Sequence, residues 1–168
     1  LANTVLKTSH ACSPTIKIRA QDMTTTQLQD SCNILAAEET YFHNMLVTNR
    51  TPVANDNNKV LELVVFDDYA SYNKYAGAIY DIATDNGGMY LEGDPSDINN
   101  QARFIAHEAS WLRPTFTVWN LEHEYVHYLD GRFNLYGDFG ESIAKPTVWW
   151  LEGLGEYLSY KNNYQAAI

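Results

Sequence analysis

The sequence predicts an α+β fold, a small mixed sheet with helices packed on one face. Three observations predict it. Residues 60–66, Val-Leu-Glu-Leu-Val-Val-Phe, form an apolar run too short and too β-branched for a helix, as a buried strand requires. Two longer stretches, 26–48 and 118–130, repeat apolar residues at threes and fours, the period of an amphipathic helix. Strand-like and helix-like segments interleave along the chain before it closes on two consecutive helices, which is the pattern of a layered α+β domain.

Taken in order, residues 1–20 read as loop and short extended pieces, with alternation at Thr15-Ile16-Lys17-Ile18-Arg19 marking a brief strand. N-cap candidates at 22–26 open a helix whose stripe is Leu28, Cys32, Leu35, Glu39, Phe42 and Leu46. It is expected to end near Thr48, with His43 beside the stripe as a core or solvated histidine. Residues 49–59 read as a surface loop, followed by the buried strand at 60–66. Asp67 or Asp68 caps the next helix, expected through Tyr75 and closed by Gly77. Asp85-Asn86-Gly87-Gly88 is turn chemistry leading into a short strand at Met89-Tyr90-Leu91-Glu92. Another strand is expected at 103–108, where His107 and Glu108 face opposite ways and read as structural. Pro146 suits the first position of a last helix packed through Val148, Trp149, Leu151, Leu154 and Leu158.

Composition bounds the function. One domain of 168 residues with 45% hydrophobic content can bury a real core. A net charge of −10 argues against nucleic acid and against an anionic membrane surface. No apolar run approaches the ~20 residues of a membrane span, and no signal peptide is visible. Cys12 and Cys32 fit one disulfide closing a loop of about 20 residues, or alternatively two buried thiols.

The chemistry concentrates at His123-Glu124-Tyr125-Val126-His127, an H-E-x-x-H motif. Four helical residues advance about 400°, so the two histidines lie one above the other and can hold one Zn²⁺ from the same side. Glu124, one step round, reaches a water on the open side as general base. The competing reading is an amphipathic helix with two satisfied histidines and a solvated glutamate. Val118, Leu121, Tyr125 and Tyr128 or Leu129 make its core stripe, while Phe116, Asn120, His123 and His127 line the cleft side. Gly131 falls where a left-handed cap is expected, which ends the helix just after Asp130, and Arg132 suits the helix dipole. Trp111, Trp119, Trp149 and Trp150 flank this segment and are expected to pack beneath the site.

Catalytic zinc takes three protein ligands and leaves one position for water. Asp130, Asp138, Glu141, Glu152 and Glu156 are the candidates on the carboxyl side of the motif. Asp130 is too close on the same helix, and Asp138 and Glu141 lie in a loop. Glu152 is favoured, because Gly153 and Gly155 let its helix approach closely. Glu156, one turn on, suits a partner for the free N–H of a ligand histidine.

The stretch 121–133, together with Trp149-Trp150-Leu151-Glu152-Gly153-Leu154-Gly155-Glu156-Tyr157, closely resembles the bacterial collagenases of the Vibrio type. The resemblance extends through Asn86-Gly87-Gly88-Met89-Tyr90-Leu91-Glu92-Gly93 and back to Cys12. These enzymes are gluzincins, whose third ligand is a glutamate on the next helix. The resemblance implies a thermolysin-like upper subdomain with an antiparallel edge strand, packed on the active-site helix and the glutamate helix. It implies that Gly87, Gly88, Met89 and Tyr90 align an extended substrate, and that Glu92 matches a calcium-binding glutamate. It also implies a secreted, extracellular setting, which favours the Cys12–Cys32 disulfide. Residues 1–168 are then one metallopeptidase subdomain without the helical lower subdomain, which in the family carries a transition-state-stabilising tyrosine.

The function expected is zinc-dependent hydrolysis of collagen, gelatin or another extended peptide by a monomer. Zn²⁺ is the cofactor, with Ca²⁺ as a second ion. The alternative is a zinc-braced fragment that binds collagen without turnover.

Overall fold

The computed structural model describes residues 1–134. A five-stranded mixed sheet organises them, in the order β1-β2-β3-β5-β4. Its strands are β1 (Thr8–Ser13), β2 (Ile16–Ala20), β3 (Leu61–Phe66), β4 (Met89–Leu91) and β5 (Ala102–His107). The central three, β2, β3 and β5, run parallel, and an antiparallel strand closes each edge. Every residue of β3 is buried, as a strand covered on both faces requires.

Helices cover both faces, which corrects the expectation of one. On the first face lie α2 (Thr25–Leu46) and α4 (Leu121–Phe133), whose Leu28, Leu35, Phe42, Tyr125 and Leu129 join Ile18, Leu63 and Phe104 in the main core. On the second, α3 (Tyr69–Tyr80) buries Tyr72 and Ala76 against Val64, Phe66 and Ile105. The alternating faces of β3 and β5 feed both cores, so a helix is needed on each side. A short helix, α1 (Ala2–Val5), precedes β1, and Leu6 joins the second core.

The helix ends depart from expectation in two instructive ways. Helix α3 runs through Gly77 to Tyr80, and Asp81 takes the left-handed cap at φ 55°. Helix α4 runs through Gly131 to Phe133. Gly131 is there for proximity: a Cβ on it would stand 2.6 Å from Glu92 Oε2. Helix α2 opens at Thr24 with a capping box to Gln27 and closes at Val47 in the left-handed region.

Candidate active site

Strand β5 delivers the metal-motif helix. Beyond His107 the backbone is stitched to the segment entering α4: Thr117 O accepts from Ala109 N at 2.7 Å, and His107 O accepts from Trp119 N at 3.0 Å. The first turn of α4 therefore starts beside the carboxyl end of the sheet. Asn120 makes the sharp entry in the left-handed region at φ 55°, and Glu122 and Glu124 suit the positive end of the helix dipole. The other end is tied by Tyr128 Oη donating to Asn58 O at 2.5 Å and by Arg132 pairing with Asp56 at 3.1 Å. Tyr125 Oη donates to Glu39 of α2. Burial pushes both tyrosine hydroxyls up, so they stay neutral donors.

His123 and His127 are both buried on α4, with their Nε2 atoms 3.2 Å apart and their rings steeply crossed. His123, Glu124 and His127 each offer a ligand atom within 4.8 Å of the others. At Zn–N distances of ~2.0–2.1 Å, this nitrogen separation corresponds to an N–Zn–N angle of about 100°, near tetrahedral. The donor set suits a borderline-soft divalent metal. Val118, Leu121, Tyr125, Tyr128 and Leu129 are buried on the core side, as the helical stripe predicts. Phe116, Asn120 and His123 line one cavity, which also reaches Asp30 and Ser31 of α2. Asp130 is buried, accepts from Asn134 at 2.8 Å and has its carboxyl pushed up by burial.

Strand β4 is the sheet edge beside this helix. Tyr90 points inward, its ring 6.3 Å from that of Tyr128, and so holds β4 against α4. Gly88 sits at φ 143°, where a Cβ would lie 3.0 Å from Ile105 O. A Cβ on Gly87 would collide with the indole of Trp119. Asn86 fixes this turn by accepting from Tyr72 Oη at 2.5 Å and from Gly88 N at 3.3 Å. Burial pushes the Tyr72 hydroxyl up to about 12, which keeps it a donor. Met89 and Leu91 flank Tyr90 on β4, paired with Ile105 and Arg103. Glu92 is buried against α4 at Gly131, and its carbonyl accepts from Asn58 and Asn100.

Cys12 and Cys32 form a disulfide between β1 and α2. Glu152, Glu156, Asp138 and Glu141, and also Trp149 and Trp150, lie outside the described residues. Trp111 and Trp119 do not pack beneath the site. Both are exposed, and they line a second cavity with His107 beyond the amino end of β4, while Trp119 also borders the cavity that holds His123. His107 is buried with its Nδ1 2.8 Å from Glu108 O, in keeping with the structural reading from sequence.

The family model for collagenase, peptidase family M9, matches residues 1–168. A microbial collagenase of Vibrio alginolyticus is 52% identical over the whole chain, which spans 20% of that relative. One of Vibrio vulnificus is 47% identical over the whole chain and 21% of its own length. A collagenase of Clostridium tetani is 26% identical over 70% of the chain. The chain thus spans about a fifth of the length of the Vibrio relatives. It belongs to the collagenase family of metallopeptidases, M9.

Proposed function

We propose that the chain is the metal-bearing part of a zinc endopeptidase that hydrolyses collagen or gelatin. The observation that carries this reading is the 3.2 Å separation of the His123 and His127 Nε2 atoms, with Glu124 in the same cluster. The substrate class comes from the relatives, which are named microbial collagenases. In this reading His123, His127 and Glu152 hold zinc, and Glu156 accepts the ring N–H of a ligand histidine. Zinc, when bound, supplies the Lewis acidity that polarises the scissile carbonyl and makes water easier to deprotonate. Glu124 takes the proton of the attacking water on a carboxylate oxygen and then hands it to the leaving amine.

The outer edge of β4 aligns an extended peptide by main-chain hydrogen bonds, and Gly87 and Gly88 let its backbone come close. The inward-facing Tyr90 leaves only its backbone for this task. The domain is read as a thermolysin-like upper subdomain, with the other cleft wall assigned to a helical lower one. Glu92 offers a buried carboxylate for calcium next to α4. The disulfide fits a secreted protein.

The test is Glu124→Gln. Zinc content is expected to stay at the parent's level, while hydrolysis of a collagen-like peptide falls by a factor on the order of 10²–10⁴. Zinc retained with no hydrolysis in either protein would instead support the binding fragment.

A further inference from the structure

Beyond the amino end of β4 lies a cavity of about 410 Å³, walled by Tyr69, Trp111, Trp119 and His107 and floored by Asp85, Asn86 and Gly87. Its aromatic rings form a connected chain: Tyr69 to His107 at 5.5 Å, His107 to Trp111 at 6.0 Å, and Trp111 to Trp119 at 5.3 Å. Three of these side chains stand exposed although each carries a large apolar surface, whereas His107 is only 1% exposed. Its Nδ1 donates to the Glu108 carbonyl at 2.8 Å, which orients the ring and its Nε2. That Nε2 is buried and has no hydrogen-bond partner among the described residues.

The polar groups here favour one kind of guest. Asp85 is an exposed acceptor, and among the described residues no lysine or arginine lines the cavity. The Tyr69 hydroxyl is already committed to Thr84 O at 2.8 Å. Indole faces attract flat cations, and a guanidinium combines a stacking plane with several N–H donors. The overall charge of −10 draws such a group in.

We propose that this cavity is a subsite for an arginine side chain of a bound peptide. Indole faces of Trp111 and Trp119 pack on the guanidinium, and the exposed Asp85 carboxylate accepts from it. Gly87 joins the cavity to the strand edge, so a peptide laid along β4 reaches it with one side chain. This placement deepens the peptidase reading above and rests on it.

The test separates the two. Titration calorimetry on the 168-residue chain carrying Glu124→Gln compares two extended peptides that differ only in arginine or citrulline. Citrulline keeps the shape and loses the charge. The arginine peptide is expected to bind about ten-fold tighter. Adding Asp85→Asn or Trp111→Ala, both exposed positions, is expected to shrink that ratio to about three-fold or less. Equal binding of the two peptides would overturn the proposal, as would a preference untouched by both substitutions. A lysine peptide binding as tightly as the arginine one would overturn the assignment to a guanidinium. Arginine preference in a parent chain that hydrolyses nothing supports the subsite while defeating the peptidase reading. Hydrolysis without arginine preference does the reverse.

Discussion

Gly131 shows what a single missing side chain does on the metal-motif helix. Alanine would favour the helix by about 1 kcal/mol, yet its Cβ would press on Glu92 Oε2 at 2.6 Å. Glu92 is itself buried and has little room to retreat, so overpacking of about 1–3 kcal/mol outweighs the propensity gain. Gly131→Ala is therefore expected to lower the melting temperature, and a rise would show that Glu92 moves freely. His43 gives a second prediction at this scale. It is buried, close to Glu39 and Thr48 and packed on Phe42 and Phe133, and burial followed by the Arg50 charge lowers its pKa. The unfolded chain then binds this proton more readily than the folded one. The contribution to stability is whole above the ordinary value of 6.5 and is lost as pH falls through the folded pKa. A pH series of melting temperatures on parent and His43→Gln should show that acid-side loss only in the parent. The close approach of His123 and His127 was legible because it depends only on local helical spacing. The ring cluster around His107 was not, since it brings together Tyr69, His107, Trp111 and Trp119 from separate segments.

At the scale of elements, α2 and the disulfide hold the first face together. The Thr24–Gln27 capping box satisfies the exposed amides of the first turn, so Thr24→Ala should cost about 1 kcal/mol in chemical denaturation. The Cys12–Cys32 bond ties edge strand β1 to α2 across a separation of 20 residues. Replacing both cysteines with serine should cost about 3 kcal/mol in the same assay, and an unchanged midpoint would contradict the loop-closure account. Strands β2, β3 and β5 and helix α2 were readable from their apolar periods. Strand β1 escaped because it is a half-exposed edge with no run of large apolar residues. Both misplaced helix ends share one cause. Gly77 and Gly131 carry the usual stop signal, but each serves a close approach: to Ile82 O at 3.1 Å and to Glu92. A stop signal and a contact requirement look identical in sequence.

For the whole molecule, the sheet order leaves β4 as an antiparallel edge, and Tyr90 packs it beside Tyr128 of α4, the helix that carries the histidine pair. The mixed sheet and its interleaved helices were legible from the chain. That helices cover both faces was not, because an all-apolar strand such as β3 does not reveal which neighbours cover it. Surplus negative charge acts at the same scale. Association of a basic peptide with the chain should slow as ionic strength rises from about 0.01 to about 0.15 M, where the screening length shrinks from about 30 Å to about 8 Å. A neutral peptide should show no such slope. The central claim is that the two motif histidines and a glutamate beyond them hold zinc. Equilibrium zinc binding to the parent, His127→Ala and Glu152→Gln tests it directly. One zinc per parent chain is expected, with affinity sharply reduced by His127→Ala and reduced by Glu152→Gln. A parent that binds no zinc, or a His127→Ala chain that binds it equally well, would contradict the account.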